Sequence, residues 1–440
     1  MVGLLRGFLG LMLALVLGLV LALVPGSASA QAEDATEALL RDRADQVIAV
    51  MQGTRDPAQT FDARFLNEVP AERLRALTAQ ITAQGGAVEG YADFRREQQR
   101  SATFTLKLAN ATAPARIELG AGDQPRVAGF RIFAVTPLAD SLDALEADFA
   151  ALPGTAGFAL YRLGDGAPAL VKGRKATVPF AVGSSFKLYV LAALARQVNE
   201  GKRRWSDVVP VEGKSFPGGT IHTLPDGAPV TLHTLASLMI SISDNTATDM
   251  LVRLVGQDAL DREVRLAGHA KPEALAPMLT TAQLFALKRG GDAVTRDYAR
   301  ATPQERQRRL DALDLSRIAQ ADPGEVFGHG PVAIERIEWF ASPADLAGVM
   351  DDLRRLDSRE VFDILGINPA MDDASARAHA YVGYKGGSED GVISMTWLLR
   401  DAAGTWSVAT GSWNDGKAPV DNQRFELLML RLARLARLAR

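Results

Sequence analysis

Three short clusters in this 440-residue chain carry groups able to do acyl-transfer chemistry. The first is Ser184-Ser185-Phe186-Lys187, which opens a helical stretch with Leu188, Val190, Leu191, Leu194 and Val198 apolar on more than one side, as a buried helix requires. Ser184 and Lys187 are one turn apart, so their side chains share a face and the amine can approach the hydroxyl. An amine held out of water loses proton affinity and can serve as base for that hydroxyl. The second cluster, Ser243-Asp244-Asn245, is a polar step between an apolar helical stretch at 232–242 and another helix at 246–255. A short polar segment held between packed helices can point a hydroxyl and an amide rigidly into a cleft. It also reads as a helix start, with Asn245 or Thr246 capping and Asp249 helping the first turn. The third, Lys385-Gly386-Gly387-Ser388, ends a strand, where two glycines let another backbone approach and leave an edge open to a ligand. Taken singly, these are also a capping Ser, a helix cap and a solvated Lys.

The elements that must position these clusters fall into two units. Segments 35–51, with Leu39, Leu40, Val47, Ile48 and Met51, and 71–83 carry apolar residues at helical spacing. Segments 101–108, 115–119 and 127–133 read as strands, with turns at Asn110 and at 120–123. Helices followed by consecutive strands predict a small α+β domain over 31–137. Thr136-Pro137-Leu138 breaks the last strand, and a helix over 140–152 opens a second domain, 138–440. There, two strands from Gly157 precede a long helical middle to about Leu356, and strands follow at 379–384, 392–399 and 407–413. A unit that begins and ends in strands can pair its two ends into one antiparallel sheet. The tail, 424–440, reads as a helix packed on that sheet, the alternative being a membrane-surface or partner helix.

Composition narrows the function. Apolar residues at 47% and charged residues at 23% are the balance of a folded soluble protein. A net charge of −3 over this length gives no footprint for nucleic acid. The absence of cysteine excludes disulfides, thiolate zinc sites and a lipoprotein-type anchor. No His-Glu-x-x-His or comparable spacing suggests a metal, and no Gly-x-Ser-x-Gly elbow surrounds Ser184. His222, His233, His269, His329 and His379 lie in no triad context and read as satisfied structural residues. Arg6, an apolar run over 8–24 and Ala28-Ser29-Ala30 predict a signal peptide over 1–30 and export to the periplasm or beyond, the alternative being an uncleaved anchor.

In this order, Ser-x-x-Lys, Ser-Asp-Asn and Lys-Gly-Gly resemble the signature of class A β-lactamases and penicillin-binding proteins, Ser-x-x-Lys, Ser-Asp-Asn and Lys-Thr-Gly. The stretches AVGSSFKLYVLAAL, LASLMISISDNTATDML and YVGYKGGSEDGVISMTWLL look like the same family, over roughly Asp140 to the C-terminus. The resemblance implies a mixed α/β fold in which an antiparallel sheet flanked by helices is joined to an all-helical subdomain. The order of elements in 31–137 resembles the cone-shaped fold of the steroid-isomerase and nuclear-transport-factor superfamily.

By resemblance, Ser184 is the nucleophile and Lys187 its base. Ser243 passes a proton to the leaving group, Asn245 binds the substrate's amide and helps hold Lys187, and Lys385 supplies positive charge toward Ser243 and a substrate carboxylate. The amides of Ser184 and Ser388 form the oxyanion hole, with Gly387 in the substrate-binding strand. No metal or organic cofactor is implied. The substrate would be a small β-lactam, an ester or a peptidoglycan stem peptide.

Two departures stand out. Gly386 lacks the hydroxyl that usually contacts the substrate carboxylate, with Ser388 as the nearby substitute. Glu273 is the one candidate for the base that activates the deacylating water, yet it lacks the Asn that usually follows that Glu. The small N-terminal domain and the missing clear Glu are similar to the β-lactamase-like hydrolases found with clavulanate biosynthesis, which suggests weak β-lactamase or esterase chemistry. A D,D-peptidase and a sensor that acylates without turnover are the alternatives.

Overall fold

The computed structural model describes residues 26–122, 125–133, 135–215, 218–316, 318–320, 322 and 330–438. Most of the proposed signal segment and His329 lie outside them. Among the described residues no helix is long and apolar enough to cross a membrane. The chain divides into two compact units between Ala139 and Asp140.

In the first unit, Ala111, Ala113, Ala115, Ile117 and Leu119 are all buried while the residues between them are not. That is the two-residue period of a strand with one covered face. The strand Ala111–Leu119 pairs with Ser101–Leu108 on one side and Val127–Ile132 on the other, and Thr136–Pro137 also pairs with it. The break expected at Pro137 is therefore a short strand. A further strand, Val88–Gln98, lies at the edge and has no counterpart in the sequence reading. Its register shifts three times, between Val88 and Gly90, Ala92 and Arg95, and Arg96 and Gln98, so bulges erase the alternation that would have revealed it. Helices Gly26–Met51 and Ala71–Gly85 contribute Leu40, Val47, Met51, Leu74 and Ile81 to this unit's core.

In the second unit, a five-stranded antiparallel sheet runs in the order Tyr381–Glu389, Val392–Arg400, Trp406–Asn414, Thr155–Leu163, Ala169–Arg174. Trp406–Asn414 pairs along its whole length with Thr155–Leu163, which joins the two ends of the unit as expected. Val392–Arg400 is buried on both faces from Val392 to Leu399, so it is apolar on both faces apart from Ser394 and Thr396, whose hydroxyls are hydrogen-bonded. On one face, helices Leu142–Ala150 and Asn422–Ala436 pack through Phe149 and Phe425 against Phe158, Trp397 and Trp413. The C-terminal helix thus covers the sheet.

On the opposite face lie helices Lys187–Asn199 and Pro343–Arg355. Beyond them the chain is helical: Leu232–Ser241, Asn245–Val255, Gln257–Leu266, Thr281–Arg289, Gly291–Arg300 and Pro303–Asp311. Lys187–Asn199 is buried on all sides from Leu188 to Ala195, which places its N-terminus between the sheet and the helical part. This is the β-lactamase-like arrangement that the sequence resemblance implies.

Candidate active site

Ser184 sits not in the helix proper but in a 3-10 turn, Gly183–Phe186, that feeds into Lys187–Asn199. From Phe180 to Ala195 every residue is buried except Ser184, so its hydroxyl is the group this segment offers to solvent. Phe186 anchors the turn by stacking on Trp339 at 3.8 Å between ring centroids and 7° between planes. The Trp339 indole donates to Leu279 O at 3.1 Å. Below Ser184, the hydroxyls of Ser185, Ser394 and Ser412 form a buried chain with links of 3.2 and 3.1 Å.

The third cluster lies within Tyr381–Glu389 rather than ending a strand at 384, and it follows Val392–Arg400 in register through Glu389. Its glycines set the approach to the nucleophile. A Cβ at Gly387 would lie 2.3 Å from Ser184 N and from Val182 O, a contact no side chain tolerates. A Cβ at Gly183, itself at φ +48°, would lie 3.1 Å from Ser388 N. The amides of Ser184 and Ser388 are thereby brought side by side. Tyr381–Glu389 is also an edge strand, able to pair with an extended substrate.

Lys187 is wholly buried. Its amine donates to Ser243 O at 2.7 Å, Ser243 Oγ at 3.0 Å and Asn245 Oδ1 at 3.2 Å. Lys385, also buried, reaches the same Ser243 Oγ at 3.1 Å and Gly386 O at 2.6 Å. Ser243 takes φ +59°, an uncommon conformation for a residue with a side chain, and in it both of its oxygens face Lys187. Burial lowers the Lys187 amine to about 7, against the opposing pull of Asp249 and Asp244. Burial also holds the Lys385 amine well below its ordinary value, and the charge of Lys187 adds to this. Lys187 and Ser184 share no hydrogen bond in this geometry. Such contacts are often loose before substrate binds.

The helix Asn245–Val255 is capped by Asp244, not by Asn245 or Thr246. Fully buried Asp244 accepts Ala247 N at 2.9 Å with one oxygen, and Thr220 N at 2.6 Å and Ile221 N at 2.8 Å with the other. It therefore fastens the 218–221 segment to the Ser-Asp-Asn step, and Asn245 N donates to Gly218 O at 3.0 Å. Asp249 does not assist that first turn. It reaches instead to Thr281 N, Thr281 Oγ1 and Ala282 N at 2.7–2.9 Å, tying in the start of the next long helix.

Ser184, Lys187, Ser243, Asn245, Lys385, Gly387 and Ser388 thus converge. Glu273 does not. It is exposed on the turn Pro272–Leu275, beside a surface cleft lined by Asp258, Asp261, Arg265 and Gln307, and it makes no hydrogen bond to Ser184, Lys187 or Ser243. The turn is closed by Ala274 N to Lys271 O at 3.0 Å. The expectation that all histidines are satisfied also needs correction. His269 donates to Phe340 O at 2.9 Å, but the buried Nδ1 atoms of His222 and His379 have no hydrogen-bond partner among the described residues.

A second cluster escaped the sequence reading. Buried Lys288 pairs with Glu338 at 3.1 Å and with Glu389, the residue after Ser388. Burial and the Glu338 charge hold the Glu389 carboxyl well above its ordinary value. The three are far apart in sequence, so no spacing announces them; an acidic residue directly after the third cluster was the only signal.

A β-lactamase-like serine-hydrolase fold in which a Ser, two buried amines and a shared hydroxyl come together defines the class of protein. Residues 137–358, just over half of the chain, match the profile of the β-lactamase enzyme family, and the chain belongs to that family. It is similar to a solved β-lactamase from Sphaerobacter thermophilus, at 23% identity over 68% of this chain and 97% of that one, with a TM-score of 0.47. It is also similar to the penicillin-binding protein PBP-A, at 18% identity over 69% and 96% with a TM-score of 0.46. A β-lactamase from Chitinophaga pinensis gives 18% over 67% and 96%, with a TM-score of 0.44. No curated protein matches the chain by sequence.

Proposed function

We propose that this protein is an exported serine hydrolase that works through a Ser184 acyl-enzyme on a small β-lactam, an ester or a related amide. The observation that carries the reading is the convergence of Lys187 and Lys385 on the Ser243 hydroxyl, beside the only accessible residue of the nucleophile turn. In the reaction, neutral Lys187 takes the Ser184 proton as Oγ attacks the substrate carbonyl. The amides of Ser184 and Ser388 receive the oxygen that becomes negative. Ser243 gives its proton to the leaving nitrogen or oxygen and is recharged from the lysine pair. Asn245 binds the substrate's amide and keeps Lys187 aimed, and water then releases the acyl group.

Glu273 is exposed and makes no hydrogen bond to this cluster, which favours slow release, because base assistance to a proton transfer typically contributes about 10²–10⁴-fold. This supports weak β-lactamase or esterase chemistry of the kind implied by the likeness to hydrolases associated with clavulanate biosynthesis. The same observation favours, as second readings, a D,D-peptidase on stem peptides or a sensor that stays acylated. We assign 31–137 to a steroid-isomerase-like cone domain, and export to the segment 1–30.

The test is intact-protein mass spectrometry of wild type and Ser184→Ala with a penicillin, a cephalosporin and a small ester, alongside steady-state turnover. An adduct on wild type alone, with turnover, is expected. A lasting adduct without turnover would select the sensor, and no adduct with any compound would overturn the β-lactam chemistry.

A further inference from the structure

The second unit holds a cavity of about 190 Å³ that none of the residues gathered on Ser243 lines. Leu275 and Leu279, around the turn that carries Glu273, form one wall, and Trp339 forms another. Helices Gly291–Arg300 and Pro303–Asp311 close it with Tyr298 and Arg306.

Of the described residues, four charged ones border this cavity. Arg336 pairs with Asp292 at 2.7 Å, Glu338 pairs with Lys288 at 3.1 Å, and the exposed Glu335 turns its carboxylate onto Gly416. Arg306, half-buried, has no carboxylate partner among the described residues. Its contacts are main-chain carbonyls: Ala299 O at 3.1 Å, Tyr298 O at 3.4 Å and Ala276 O at 3.5 Å. These engage one hydrogen on each nitrogen and leave two of the five N–H groups, one on each terminal nitrogen, the pair that an end-on carboxylate takes. The guanidinium lies 5.5 Å from the ring centre of Tyr298. That phenol makes no hydrogen bond through its hydroxyl among the described residues. Burial, against the pull of Arg306, pushes it up to about 12, so it keeps its proton and can donate it.

Size sets the rest of the ligand, since a dry apolar cavity of about 150 Å³ takes up benzene. Position links the cavity to the chemistry. Trp339 stacks on Phe186 of the nucleophile turn and donates its indole N–H to Leu279 O, and both Trp339 and Leu279 are walls of the cavity.

We propose that this cavity is a second ligand site for a small aromatic monocarboxylate, with Arg306 on the carboxylate and Tyr298 as a neutral donor, and that its occupancy is felt at Ser184 through Trp339. The binding half stands on its own. The coupling half rests on the Ser184 acyl-enzyme reading.

Benzoate is the probe, with benzyl alcohol as its uncharged match. Calorimetry should show one benzoate per chain, bound equally by wild type and Ser184→Ala, and benzyl alcohol weaker by about tenfold or more. Arg306→Gln should weaken benzoate about tenfold or more, and Tyr298→Phe about threefold or more. Ala299→Leu adds bulk to the cavity wall, keeps both polar groups and should abolish binding, which decides the matter if Arg306→Gln does not fold. No benzoate bound by wild type, or binding untouched by either variant, would overturn the site. Saturating benzoate should also change the Ser184 acylation constant for benzylpenicillin about fivefold or more in wild type and leave it unchanged in Ala299→Leu. Bound benzoate with an unchanged constant in wild type would overturn the coupling. If no compound acylates wild type, the acyl-enzyme reading fails and the coupling with it, while calorimetry still decides the site.

Discussion

Lys187 and Lys385 share the Ser243 hydroxyl out of water, and burial lowers the proton affinity of both amines. Lys187, lowered to about 7, acts as base only when neutral, so the sign is fixed. The rate constant for Ser184 acylation should rise with pH, tenfold per unit well below about 7, and level off above it, in a quenched-flow profile read by mass spectrometry. Lys187→Arg, which keeps the charge at all accessible pH, should abolish that limb with a loss of about 10²–10⁴-fold. Glu273, exposed on its turn, should behave as an ordinary surface residue. Glu273→Gln should leave steady-state ester turnover within about twofold; a drop of about a hundredfold or more would return it to the role of deacylating base.

At the scale of elements, the site is a contact between a turn and an edge strand, and that contact exists because Gly387 has no side chain. A Cβ there would press on Ser184 N and Val182 O at 2.3 Å, both backbone atoms that cannot rotate away. Gly387→Ala should therefore push the strand from the nucleophile turn and separate the two amides that receive the oxyanion. Expected are a fall in acylation of about 10²-fold and a loss of stability of about 1–3 kcal/mol, measured by adduct formation and by chemical denaturation. A stable variant with full acylation would show that the two amides are not held by this approach. The cap by Asp244 works at the same scale: one buried carboxylate serves three backbone amides, so the Ser-Asp-Asn step is rigid without any disulfide.

Across the whole second unit, buried Lys288 ties helix Thr281–Arg289 to Glu338 and to Glu389 at the end of the edge strand. Removing one member of a buried charge cluster leaves the others uncompensated, which typically costs about 3–5 kcal/mol. Lys288→Met should lose stability on that order in urea denaturation. Its acylation constant should fall as well, because Glu389 adjoins Ser388. A neutral result would show that the cluster is replaceable by apolar packing, as some buried ion pairs are. Arg431 performs a similar tie on the other face of the sheet, where it is buried against Asp140 and Asp148.

The sequence by itself determined the nucleophile cluster's place at the start of a buried helix, the polar step between two helices, and the sheet that joins both ends of the second unit. All three rest on local periodicity and on chain order, which a sequence displays directly. It did not display the strand Val88–Gln98, whose bulges break the period of two, nor the cap by Asp244, where three neighbouring polar residues could each have capped the helix. Only the tertiary structure decided that two lysines nearly two hundred positions apart share one hydroxyl, that Glu273 is exposed on a turn, and that Lys288 sits between Glu338 and Glu389. Each of these depends on distances between segments remote in sequence. Such distances are set by how whole faces pack, and no spacing along the chain records them.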